Sequence, residues 1–135
     1  MKKGKMIFAV LFWLLLSLVA SNRESSMFAQ DVKRIGGPVP TGAPIKEIEM
    51  TAKNFEFSPS RIVVPSNTLV RIHLTSLDRE HGFEIMSHPG SCVLVKPGST
   101  ITVEFYADRK GEFEFSCCKF CGLGHGKMKG TLIVE

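Results

Sequence analysis

Residues 69–76 read LVRIHLTS, and their alternation decides the fold. Val70, Ile72 and Leu74 fall on one face and Arg71, His73 and Thr75 on the other, which is the two-residue period of a strand with one buried side. The same pattern spreads outward. Residues 45–52, 61–65, 83–86, 92–95, 100–106, 112–116 and 130–135 are short β-type runs cut by Pro, Gly, Asn and Ser. Ile101, Val103 and Phe105 share one face of their run, and Phe113 and Phe115 share another. In residues 45–52 the alternation is imperfect, because Lys46 falls on the face of Ile48 and Met50. No stretch carries a long amphipathic helical pattern. Seven to eight short strands over residues 45–135 predict an all-β protein, a Greek-key β-sandwich.

The 135 residues suit one domain, 44% hydrophobic and 22% charged, a globular mixture. Ten Phe against one Trp and one Tyr predict a core that leans on phenylalanine. The formal charge of +4 does not point to nucleic acid, because of where it lies. Residues 1–44 carry six Lys/Arg and two Asp/Glu, while residues 45–135 carry eleven of each. The body therefore has no basic excess for phosphates.

Lys2, Lys3 and Lys5 precede an apolar run over residues 6–20, MIFAVLFWLLLSLVA. A basic start followed by a run of this length fits a secretory signal. A membrane-spanning helix wants roughly 20 apolar residues, so residues 1–21 are expected to be a signal peptide or a short N-terminal anchor. Either would place the body outside the cytoplasm, periplasmic or secreted, with membrane contact only through this segment. Residues 22–44 contain Gly36, Gly37, Pro38, Pro40, Gly42 and Pro44 and read as a flexible linker. Residues 45–135 form the predicted domain.

All four Cys and all four His lie in that domain. Residues 115–130 read FSCCKFCGLGHGKMKG and contain Cys117-x3-Cys121-x3-His125-x2-Met128. Two thiols, an imidazole and a thioether between two strands can close around a soft metal. The thioether favours copper, since zinc is ordinarily held by Cys, His, Asp or Glu. Gly122, Gly124, Gly126 and Gly130 would let the backbone turn tightly enough to aim these side chains inward. A Cys117–Cys121 disulfide hairpin is the competing reading, and it leaves His125 and Met128 without a role. A further ligand could come from His81, in a loop after the 69–76 strand.

The loop resembles the dinuclear CuA-type copper loop of cytochrome c oxidase subunit II and nitrous oxide reductase, in which an earlier D-x2-H precedes C-x3-C-x3-H-x2-M. Here the earlier element is Asp78-Arg79-Glu80-His81; residues 54–59 (NFEFSP) and 111–113 (GEF) also look like small exported cupredoxins. The resemblance implies a cupredoxin-like fold, two copper ions and electron transfer. It implies that His81 and His125 each bind one copper, that Cys117 and Cys121 bridge both, and that Met128 and the main-chain carbonyl of Lys119 are weak ligands. A redox partner, a cytochrome c-like donor or a terminal oxidase or reductase, is implied with it. Three departures stand out. Lys119 replaces an acidic residue, and its cation should raise the reduction potential. Cys118 is extra and could compete for metal or form a wrong disulfide. The chain lacks the family's two-helix membrane hairpin and its body has no Trp.

Other chemistries rank lower. Nothing resembles a nucleophile–base pair, so no catalysis is expected of the isolated chain. Copper carriage, for which Cys118 would be useful, and a mononuclear blue-copper site are the alternatives. A zinc site from Cys92, Cys118, Cys121 and His125 ranks last. His73 reads as a solvated surface residue, His88 as a turn residue, Cys92 as a small buried hydrophobe, and Met50 and Met86 as core.

Overall fold

The computed structural model describes residues 31–135. The expected export segment and the first part of the linker lie outside the described residues. Among the described residues no helix is long and apolar enough to cross a membrane.

Among the described residues ten strands form two five-stranded sheets. The first sheet runs in the order β1 (Val32–Ile35), β8 (Thr100–Ala107), β5 (Thr68–Ser76), β2 (Ile45–Lys53), β3 (Glu56–Ser58). The second runs β4 (Arg61–Val64), β10 (Lys129–Val134), β9 (Gly111–Ser116), β6 (His81–Ile85), β7 (Val93–Val95). Both sheets are mixed: β1–β8, β2–β5 and β4–β10 are parallel pairs, and the other ladders are antiparallel.

The all-β class stands, and the strand count rises from the expected seven or eight to ten. The additions are β3 and β1, three- and four-residue edge strands, too short for alternation to show. The position of β1 also moves the linker boundary. Residues 32–35 were read as linker, yet they pair with Thr102–Phe105 of β8. Ile35 is buried, and Arg34 reaches Glu104 at 2.7 Å. One apolar anchor and one ion pair hold this edge where the sequence shows no period.

The alternation of β5 appears in space: Val70, Ile72 and Leu74 are buried against Ile101, Val103 and Phe105 of β8 and the facing sheet. Phe57, Phe83 and Phe115 bridge the layers with ring centroids 5.4–5.7 Å apart, offset and edge-on packings that aromatic pairs favour. Met50 is core, as expected, but Met86 is half exposed, its sulfur accepting from Ser116 Oγ. It follows β6 directly, and the chain has already turned outward there. His73 is not free on the surface: its ring bonds Glu47 Oε2 at 2.8 Å and Thr102 Oγ1 at 3.2 Å. His88 lies in a turn, beside Ser87 Oγ.

Candidate metal centre

β9 ends at Ser116 and β10 begins at Lys129, and these two residues are ladder partners. Residues 117–128 are therefore a hairpin connection standing on the end of the second sheet. Its base closes where Cys117 N–H donates to the Met128 carbonyl at 2.9 Å. Inside it, His125–Lys127 form one 3-10 turn. Gly122 has a φ of +130°, a backbone that other residues rarely adopt. Gly124 is needed for a different reason: a Cβ there would enter the Phe55 ring. Gly130 is likewise pressed against Phe115, while Gly126 faces open space. Phe55 thus forms the floor of the loop.

His81 opens β6 at the same end, and its side chain is wholly buried. Its Nε2–H donates to Asp78 Oδ1 at 2.7 Å. The Asp78 carboxyl feels burial, which raises its pKa. The N–H of Asn54, the His81 ring and the N–H of Arg79 outweigh that and hold it below its ordinary value. A carboxylate accepting from Nε2 fixes the tautomer, leaving Nδ1 as a lone pair. That Nδ1 is buried with no hydrogen-bond partner. It faces sulfur: His81, Cys117 and Cys121 bring their ligand atoms within 4.8 Å of one another.

The other donors gather on the same two sulfurs. Cys117 Sγ and Cys121 Sγ are 3.7 Å apart and both thiols are free. Cys121 Sγ lies 3.7 Å from His125 Nδ1 and 3.8 Å from Met128 Sδ. Cys117 Sγ donates to the Lys119 carbonyl at 3.1 Å. All six residues singled out in the sequence therefore converge. Burial, then the neighbouring Cys117, pushes the Cys121 thiol up to about 11, so a metal must displace its proton.

The reading of Cys92 and Cys118 needs correction. Cys92 is an exposed residue, not a buried hydrophobe, and it is disulfide-bonded to Cys118. Neither can then join a zinc set or serve as a spare thiol for copper carriage. The Lys119 ammonium, expected to raise the potential, has Glu80 Oε1 3.5 Å from it. The cation facing the site is Arg79, whose Nη1 donates to the Cys121 carbonyl at 2.7 Å. The Asn54 amide oxygen, in its satisfied orientation, accepts from the same guanidinium at 3.2 Å. Asp78 was visible as part of D-x2-H and Phe55 within residues 54–59, but nothing in the sequence tied Arg79 or the Phe55 ring to the loop.

The cupredoxin-like domain pattern matches residues 6–134. The chain belongs to the cupredoxin-like family. This cupredoxin is 35% identical over 97 residues to cytochrome c oxidase subunit 2 of Thermus thermophilus, covering 72% of this chain and 71% of that protein. It is 28% identical over 92 residues to nitrous-oxide reductase of Stutzerimonas stutzeri, covering 65% of this chain and 14% of the reductase. Its fold is shared with the periplasmic domain of cytochrome oxidase subunit II of Bradyrhizobium japonicum (TM-score 0.59, 22% identity, 73% of this chain and 88% of that one). It is shared too with auracyanin A, a blue copper protein of Chloroflexus aurantiacus (TM-score 0.55, 16% identity, 67% and 99%). The family implies copper. The donor set fits it: an unpartnered buried imidazole nitrogen aimed at two free thiols, with a thioether in reach.

Proposed function

We propose that this cupredoxin is an exported electron-transfer protein in which Cys117 and Cys121, with His81, His125, Met128 and the Lys119 carbonyl, would hold two copper ions in a CuA-like centre. The observation that carries this is the convergence on two adjacent free sulfurs. His81 Nδ1, His125 Nδ1, Met128 Sδ and the Lys119 carbonyl surround them, six donors where one four-coordinate soft ion uses four. Copper would supply a one-electron couple shared over both ions.

The chain's own residues do the rest. Asp78 fixes the His81 ring, Phe55 supports the loop, and the Cys117–Met128 backbone bond closes it. Ligands held at strand ends and on a loop closed between two strands of a rigid sandwich move little when the charge changes, which favours fast electron exchange. The partner would be a cytochrome c-like donor or a terminal oxidase or reductase. No catalysis by the isolated chain is proposed.

The test is copper content with electron paramagnetic resonance. Two coppers per chain with one unpaired electron split by two copper nuclei are expected. One copper split by a single nucleus would replace this reading with a mononuclear blue-copper site, and copper that does not cycle reversibly would replace it with copper carriage.

A further inference from the structure

Residues 117–121 read Cys-Cys-Lys-Phe-Cys, and this order offers Cys121 two partners. Cys117 is four residues away. Cys118 is three away, the C-x-x-C spacing of dithiol redox motifs, whose two thiols pair readily in a disulfide. A free Cys118 would compete with Cys117 for the sulfur that the metal needs.

In the structure Cys118 is withheld, bonded to Cys92 with Cα atoms 5.8 Å apart. Its surroundings are built for this bond. A Cβ on Gly82 would stand 2.5 Å from Cys118 Sγ, 2.8 Å from the Lys119 nitrogen and 3.1 Å from Cys92 Sγ. The disulfide thus crosses β6 over the residue next to His81, and only glycine leaves it room. It also crosses where the ladder is missing. β9 pairs with β6 only at Ser116–Glu84 and Phe115–Ile85, and the chain leaves the sheet at Cys117. On the other side of β6, β7 pairs with His81, Gly82 and Phe83, and Cys92 immediately precedes β7. The bond ties β7 to the metal loop across β6, beyond the last ladder pair.

We infer that the Cys92–Cys118 disulfide sorts the thiols and positions the loop: it removes Cys118 from the C-x-x-C pair and holds the Cys117 segment at its distance from His81. The positioning half rests on the copper reading above; the sorting half does not.

The experiment compares wild type with Cys92→Ser, which frees Cys118, and with Cys92→Ser/Cys118→Ser, which removes both thiols. Metal-free proteins are treated with oxidised glutathione. Two cysteine thiols close to a disulfide, their two electrons and two protons passing to glutathione disulfide, which leaves as two glutathione molecules. Closure in Cys92→Ser at least tenfold faster than in the other two, mapped to Cys118–Cys121, is expected. Equal rates, or the Cys117–Cys121 pair in all three, would overturn the sorting.

Copper-loaded wild type and double variant are then challenged with a chelator. Loss at least tenfold faster from the double variant, with an unchanged resonance spectrum in the copper that remains, is expected. Equal loss rates would reduce the bond to general fold stability and overturn the positioning. A wild type that takes up no copper overturns the copper reading and the positioning with it, while the glutathione rates still decide the sorting.

Discussion

Asp78 Oδ1 accepts from His81 Nε2 at 2.7 Å, and this bond turns Nδ1 of the buried ring toward Cys117 and Cys121. Removing such a support usually weakens metal binding about 10–100-fold. Asp78→Ala should therefore lower copper affinity by roughly that factor, read by competition with a chelator. The Asp78 side chain is 34% exposed, so the far-ultraviolet circular dichroism should not change. Wild-type affinity in this variant would show that the ring is held by packing alone.

The sandwich was legible where strands were long enough to alternate, as β5 and β8 are. It was not legible at β1, whose evidence is a pairing partner about seventy residues away. The metal loop was legible because its ligands are close in sequence and chemically unusual. His81 entered through Asp78, a short-range signal. The Cys92–Cys118 pair was not legible, since a disulfide 26 residues apart depends on Gly82 lying between two segments that only the fold brings together. The loop glycines were read as conformational, and Gly124 instead answers to the Phe55 ring. The pairing of Lys119 with Glu80 was not legible, because the two are near only in space.

His125 and Met128 should separate by bond strength. His125→Ala opens a position beside Cys121 Sγ and should lose copper or the shared-electron spectrum. Met128 is fully buried in the core cluster, and Met128→Leu nearly conserves volume, so it should cost less than about 1.5 kcal/mol of stability. It should keep its copper and raise the reduction potential, because a soft donor to the oxidised state is gone. Copper content and potential on the two purified variants decide this; complete copper loss from Met128→Leu would make the thioether a primary ligand.

Glu104 gives stability a pH dependence away from the metal. Its buried carboxylate accepts from Arg34 and Arg71. The Arg34 bond first, with the Arg71 bond and both charges, lowers its pKa below 4.5 against the opposing effect of burial. A carboxyl depressed by folding stabilises fully above its unfolded value, and the contribution is lost as pH falls through the folded one. Glu104→Gln should cost about 1–3 kcal/mol at pH 7. The gap between the urea curves of variant and wild type should narrow steadily below pH ~4.5. A gap independent of pH would place the cost in packing.

Arg79 should set the potential more than Lys119 does. Its guanidinium donates to the Cys121 carbonyl at 2.7 Å, while the Lys119 ammonium is matched by Glu80. Gaining an electron removes one positive charge from the centre, so a fixed cation nearby favours the reduced state. Arg79 is exposed, and solvent weakens its field to about 1 kcal/mol for a unit charge at such a distance. With about 59 mV per tenfold change for one electron, Arg79→Met should lower the potential by some tens of millivolts. Arg79→Lys keeps the charge but not the forked donor, and should lower it less. Lys119→Met should shift it least of the three, since Glu80 already offsets that charge. Voltammetry at low and high salt provides the check, because screening must shrink a charge effect. An Arg79→Met shift that salt leaves unchanged would assign the effect to the lost hydrogen bond, and a larger shift from Lys119→Met would return the controlling cation to position 119.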